Sequence, residues 1–207
     1  MHYVIIDLEA TCWETGQRLD RMEIIEIGAV LLESSCGPVL RTFAAFVRPV
    51  ESPVLSDFCR QLTSIQQADV DAAESFPRVL SRLLQWIGPE IYALCSWGAY
   101  DLGQLRVDCA RHGIALPTPF ERHINLKQQY SLWRGVRPTG MKGALRREGI
   151  ALEGTHHRGA DDAQNIAKLA MRILPWLESR PISTTTDEHL QARGIVGSGR
   201  ANFPPPG

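Results

Sequence analysis

Tyr3, Val4, Ile5 and Ile6 form an apolar run that ends in two acids, within the stretch YVIIDLEATCW. Aromatic and β-branched residues that follow one another without polar alternation describe a strand buried on both faces, which requires a sheet covered by helices on each side. Side chains alternate along a strand, so Asp7 and Glu9 share a face with Ile5, while Leu8 shares the other with Val4 and Ile6. Two carboxylates therefore stand side by side at the end of a buried strand. Like charges held together repel and burial adds to the cost, so the pair requires a cation, and an all-oxygen cluster selects Mg²⁺ or Mn²⁺. On an exposed strand the same two acids would be commonplace.

The rest of the chain is read as cover and continuation for this strand. MEIIEIGAVLLE and RTFAAFVRP are two further strands separated by the turn residues of SSCGPV, an antiparallel meander. A helical region follows: SDFCRQLT, then SIQQADVDAA opened by the capping-box pattern Ser64-x-x-Gln67, then SFPRVLSRLLQWIG with Pro77 near its start and Gly88 at its end. EIYALCSWG is a fourth buried strand, DLGQLRVDCARHG a helix closed by Gly113, and RHINLK a short fifth strand. MKGALRRE and DDAQNIAKLAMRIL are the last helices, the second stopped by Pro175. Three strands followed by alternating helix and strand describe an α/β fold, a mixed, mostly five-stranded sheet with helices on both sides. The expected organisation is one domain over 1–178 and a Ser-, Thr-, Gly- and Pro-rich tail or linker over 179–207.

Composition narrows the function classes. The five cysteines form no C-x-x-C pair, so neither a disulfide framework nor a zinc site is indicated, and they are expected to act as small buried hydrophobes in a reducing compartment. No run approaches the roughly 18 apolar residues of a membrane span, and the expectation is a soluble, cytoplasmic protein. The net charge of −1 hides an asymmetry: residues 1–100 hold 7 Lys and Arg against 13 Asp and Glu, and residues 101–175 hold 12 against 7. Between residues 122 and 147 seven basic residues occur without an acid, interleaved with Tyr130 and Trp133. That composition suits a polyanion carrying flat bases, although a solvated basic face would look the same.

Further acids are expected near Asp7 and Glu9. Asp101 stands where the fourth strand passes into a helix, a place that an ordinary N-cap would explain equally well. Asp162 is more telling, because it precedes Ile166, Leu169, Ala170 and Ile173 on the core-facing stripe of the last helix. Asp161 instead lines up with Asn165, Lys168 and Arg172 on the solvated side. His157, five residues before Asp162, falls in the loop entering that helix, where a mobile histidine beside a metal cluster could serve as general base.

Taken together, DLEATCWE, EIIEIGAVLL, SWGAYDLGQL and HHRGADDAQNIAKL resemble the three motifs of the DEDDh family of 3′ to 5′ exonucleases, in the ribonuclease H-like superfamily. The intervening FVRPVESPVLSDFCRQLTSIQQADVDAAESFP is similar to the branch that includes the histone-mRNA and RNA-interference-linked exonucleases. The resemblance implies a ribonuclease H-like fold in which Asp7, Glu9, Asp101 and Asp162 bind two Mg²⁺ ions, with Mn²⁺ able to substitute, and His157, not His156, activates water. Single-stranded RNA or DNA 3′ ends are the expected partners: Thr11, just past the strand, is placed to contact the terminal sugar or equally to serve as a turn or capping group, and Tyr100, next to Asp101, and Phe58, which could equally be plain core, are expected to stack on bases. The alternative is a binding module of the same fold without catalysis, which the complete acid set disfavours.

Overall fold

The computed structural model describes residues 1–16 and 18–180, so most of the expected tail lies outside the described residues. Six strands form one sheet in the order β4-β3-β2-β1-β5-β6: β1 (His2–Ala10), β2 (Ile24–Leu32), β3 (Val39–Arg48), β4 (Glu74–Ser75), β5 (Tyr92–Ser96) and β6 (His123–Asn125). The β1–β2 and β2–β3 pairings are antiparallel; β1–β5, β5–β6 and β3–β4 are parallel. The helices are α1 (Asp57–Thr63), α2 (Gln67–Asp71), α3 (Phe76–Ile87), α4 (Tyr100–Arg111), α5 (Leu126–Arg134), α6 (Met141–Arg147) and α7 (Gly159–Ser179).

The alternation along β1 divides the core as its sequence predicts. Tyr3 and Ile5 join the cluster formed with α5, α6 and α7, whereas Val4, Ile6 and Leu8 pack on the side of α3 and α4. Each of these fully buried apolar side chains is worth about 1.5–3 kcal/mol. A third cluster, with Ala10, Cys12, Met22, Ile25, Leu55, Cys59, Ile65 and Val70, closes the end of the sheet where β1 finishes. Four of the cysteines are buried and none is bonded, but Cys36 is exposed.

Four local expectations are corrected. β4 is a sixth strand, formed as the chain crosses the sheet edge and pairs Glu74 with Val47 and Ser75 with Arg48; two residues are too few to show a period. The capping box sits on Gln66, whose backbone N–H donates to Asp69 (2.9 Å), while Ser64 takes a left-handed conformation (φ 62°) that ends α1. Pro175 does not stop α7, which continues to Ser179. An internal proline costs about 3 kcal/mol, against which the extra turn buries Leu177 and fixes Glu178, which accepts from Tyr3 Oη and Ser35 Oγ, both at 2.5 Å. Asn165 is fully buried, unlike the solvated side on which its helical spacing places it; its amide donates to the carbonyls of Glu153 (2.7 Å) and Asp161 (2.9 Å).

One contact decides where α7 begins. A Cβ on Gly28 would lie 2.0 Å from the carbonyl carbon and oxygen of Gly159, and a Cβ on Gly159 would lie 3.0 Å from the carbonyl oxygen of Asp7. The first turn of α7 therefore rests directly on the backbone of β1 and β2. Gly28→Ala should lower the unfolding free energy by at least the roughly 1–3 kcal/mol of overpacking, because backbone and not a flexible side chain must move. The urea midpoint reads this, and an unchanged midpoint would refute the close approach.

Candidate active site

The docked first turn of α7 sets Asp162 against the acids of β1. One carboxylate oxygen from each of Asp7, Glu9 and Asp162 lies within 4.8 Å of the others, and Asp162 shares a second group of the same dimension with His156 and His157. Glu9 and Asp162 are buried and Asp7 is half-buried. Asp101 enters from the first turn of α4, where it is buried and its Oδ1 accepts from the backbone N–H of Leu8 (3.1 Å). It is not part of the tight trio, but its charge is the strongest that Asp7 feels.

The electrostatics of this arrangement are one-sided. Burial holds the Asp7 carboxyl well above the usual range, and the charges of Asp101, Glu9, Asp162 and Glu26 push it further. Glu9 is raised likewise, by burial first and then by Asp162 and Glu26. Burial pushes Asp101 up to about 6 against the opposing hydrogen bonds of Ser96 and backbone amides. Among the described residues no Lys or Arg pairs with Asp7, Glu9 or Asp101. Clustered oxygens without a cationic side chain fit divalent cations of the Mg²⁺ or Mn²⁺ type, which prefer oxygen ligands and would remove the penalty.

Glu26 was not singled out by sequence reasoning. It lies directly opposite Glu9 across the β1–β2 ladder, where like charges destabilise. Its carboxylate takes Arg158 Nε and Nη2, each at 3.1 Å, and the N–H of Gly159 at 2.9 Å. Glu26 is thus neutralised by Arg158 and caps α7 from another element, since Arg158 at the N-cap makes no side-chain cap of its own. The only signal in the sequence is an acid inside the otherwise apolar run EIIEIGAVLL.

The histidine loop is held at several points. His157 adopts φ 64°, unusual for a residue with a side chain, and its backbone N–H donates to Asp162 Oδ2 (3.0 Å). His156 Nδ1 lies 2.8 Å from the same oxygen, and the two imidazoles stack at 4.0 Å. Asp161 accepts from the N–H of Thr155 (2.7 Å), and Asn165 fixes Glu153 as described, so the expected mobile loop is pinned to α7. Burial first, then the charges of His156 and Lys142, lower the pKa of His157 and favour the neutral imidazole that a base requires.

The expected substrate contacts stand at the end of β1 and in the third cluster. Thr11 is buried and its hydroxyl accepts from the N–H of Glu23 (2.9 Å), which joins the chain just after β1 to the residue before β2. Phe58 and Tyr100 are partly buried against the third cluster, together with Trp13 and Phe46. Burial raises the Tyr100 hydroxyl, and the charges of Asp101 and Glu9 add to the rise. Tyr130 is no stacking platform: it is buried in the core and donates to Glu148 (3.1 Å), which also binds Arg134 and Arg172.

Comparison with known proteins gives a consistent picture. The Exonuclease family profile matches residues 4–170. ERI1 exoribonuclease 2 of Homo sapiens is 34% identical over 195 residues, which cover 84% of this chain and 28% of that protein. The 3'-5' exoribonuclease 1 of Homo sapiens is 35% identical over 179 residues, covering 82% of this chain and 51% of its own length. The chain therefore spans between a quarter and about half of these two relatives. The solved nuclease domain of 3'hExo, a DEDDh family member bound to rAMP, superposes with a TM-score of 0.79 at 34% identity, covering 84% of this chain and 92% of that domain.

A raised carboxyl pKa has a defined consequence for stability. An acid that ionises less readily when folded favours the fold below its unfolded pKa, about 3.9 for Asp, and loses that contribution as pH rises through its folded value. For Asp101 the loss falls between about 4 and about 6. Mn²⁺ should therefore raise the melting temperature more at pH 7.5 than at pH 5, relative to EDTA. Equal shifts at the two pH values in thermal unfolding would contradict the cluster as a cation site.

Proposed function

For a chain that belongs to the Exonuclease family, and within it to the DEDDh 3′ to 5′ exonucleases, we propose hydrolysis of single-stranded nucleic acid from its 3′ end, RNA ahead of DNA, to nucleoside 5′-monophosphates. The observation that carries this reading is the convergence of Asp7, Glu9 and Asp162 within 4.8 Å of one another, adjacent to two histidines and, among the described residues, without a paired Lys or Arg. The choice of RNA is supported by the exoribonuclease names of the relatives, and by a solved 3′-exonuclease structure that concerns recognition of the histone mRNA stem-loop 3′ end.

Asp7, Glu9 and Asp162, with Asp101 beside them, are the residues proposed to hold two Mg²⁺ ions, Mn²⁺ being able to substitute. Bound divalent ions supply positive charge against the phosphate and acidify water. His157, neutral near pH 7, takes the proton of the attacking water at a ring nitrogen, and the backbone bond to Asp162 keeps its loop at the acids. Glu26 and Arg158 hold the helix terminus on which Asp162 rides. Tyr100, with Phe58 in the same aromatic border, offers a face for stacking that accepts any base, worth about 1–3 kcal/mol per base.

A 5′-labelled single-stranded RNA and its DNA counterpart, incubated with Mg²⁺, Mn²⁺ or EDTA, test the reading. A metal-dependent ladder that shortens from the 3′ end, faster for RNA, is expected. A shifted but intact oligonucleotide would replace the enzyme with a binding module.

The two histidines separate under substitution. His157→Ala should lower kcat by roughly 10² to 10⁴, the range of a positioned general base, with folding and Mn²⁺ binding retained. His156→Ala should cost less in kcat and act through the metal requirement, because its Nδ1 contacts Asp162. Single-turnover rates at saturating Mn²⁺ that fall in the opposite order would transfer the base role to His156.

A further inference from the structure

Glu9, Glu26 and Phe46 form one row across β1, β2 and β3, side by side on the face of the sheet that carries the acids. Arg158 spans the second and third members of that row. Its Nε and Nη2 donate to Glu26, and its guanidinium carbon lies 5.3 Å from the centre of the Phe46 ring. It also follows His157 directly in the chain, so two independent links hold it at the border of the acid cluster. Phe46 lies two strand spacings, about 10 Å, from Glu9 along the row, a direction in which a strand cut at the acids can continue.

A guanidinium carries more N–H donors than one carboxylate can take, and it never loses its charge. Among the described residues no group besides Glu26 accepts from Arg158, whose side chain is 31% exposed. Neutralising Glu26 therefore leaves donors of a cation unused beside the site. Beyond Phe46 the same face opens into a groove of about 430 Å³ between β3 and α2, walled by Ala44, Phe46, Ala68 and Ala72. The charged groups that line it are engaged: Arg82 pairs with Glu74, and Asp69 accepts from the N–H of Gln66. Small walls and one aromatic ring suit a flat base, whereas the open edge of an arginine suits a phosphate.

We propose that Arg158 and the groove beyond Phe46 form the subsite for the penultimate nucleotide: Arg158 holds its 5′ phosphate and the groove takes its base. The subsite rests on the reading of the chain as a 3′ to 5′ exonuclease, in which the acids act on the phosphate that joins this nucleotide to the last one. A strand gripped one residue upstream presents its terminal phosphodiester to the acids. The nucleoside monophosphate released has no hold on this subsite, so substrate and product are told apart. The basic residues around α6 lie on the other flank, beyond β5, where Trp97 Nε1 donates to the Thr139 carbonyl (3.0 Å).

The test gives the full chain, with Mn²⁺, a nucleoside 5′-(p-nitrophenyl phosphate), which has no penultimate nucleotide, a diribonucleotide, and the same diribonucleotide bearing a 5′ phosphate. In the parent the 5′ phosphate should lower KM by roughly tenfold, the lower end for a hydrogen bond to a charged group, and Arg158→Gln should erase most of that difference. The comparison is made within each variant, so a change in the seating of α7 cancels. Ala44→Trp, at an exposed position, should raise the KM of both dinucleotides relative to the nitrophenyl ester by roughly fivefold or more, in line with a lost base contact. A parent indifferent to the 5′ phosphate would overturn the proposal, as would a 5′-phosphate effect that survives in Arg158→Gln or is lost in Lys142→Ala instead. If Arg158→Gln fails to fold, the double variant Glu26→Gln, Arg158→Gln removes both charges and carries the same comparison. An unaltered ratio of dinucleotide to ester KM in Ala44→Trp overturns the groove independently. A parent that hydrolyses none of these substrates would remove the exonuclease reading beneath the subsite.

Discussion

The structure turns on the approach of one helix terminus to two strands at a distance that no side chain permits. Gly28 and Gly159 meet backbone to backbone, and Gly159 also rests on the carbonyl of Asp7. A helix that docks this closely brings its first turn, and therefore Asp162, within reach of acids whose side chains are short. A Cβ at either glycine would hold the turn away from the strand, and carboxylate oxygens now within 4.8 Å of one another would separate. The positive end of the helix dipole also meets the acids here, which favours negative charge in the first turn.

That placement concentrates negative charge in a buried region, and the fold answers it only in part. Glu26 is neutralised by Arg158 and accepts from the N–H of Gly159, and Asp162 accepts from the N–H of His157 and lies 2.8 Å from His156 Nδ1. Among the described residues Asp7 and Glu9 receive no comparable partner, and both are held in the protonation-prone state that their surroundings impose. Glu26 fixes the scaffold and is compensated from within the protein, whereas Asp7 and Glu9 are left for an external cation. Asp162 belongs to both sets: it takes partners from its own loop and still stands within 4.8 Å of Asp7 and Glu9. Local stability is given up at the position where binding can return it.

Much of this was legible in the chain because the relevant signals are short-range. The strand period put Asp7 and Glu9 on one face, and the helix period put Asp162, rather than Asp161, toward the core. What escaped depends on partners far along the sequence. Glu26 is only an acid in an apolar strand until Arg158, 132 residues later, is placed against it. Gly28 is only a weak strand residue until Gly159 lies over it. Asn165 sits at the border of the helix stripe, where spacing assigns solvent and the loop at Glu153 supplies a buried partner instead. Tyr130 among basic residues suggested a binding face, yet composition does not reveal which side of a helix an aromatic occupies, and it turned inward beside Trp97 and Trp133. Pro175 marked a stop that the burial of Leu177 and the tether on Glu178 overrode.

That tether has a mechanical consequence. Glu178, near the far end of α7, accepts from Tyr3 near the start of β1 and from Ser35 just beyond β2, while the near end of α7 is seated on Asp7 and Gly28. Helix and central strand are fastened to one another at both extremities, like a beam riveted at each end to its plate. A beam so fixed cannot slide or tilt about one support, so the wall of the site that carries Asp7, Glu9 and Asp162 is stiff.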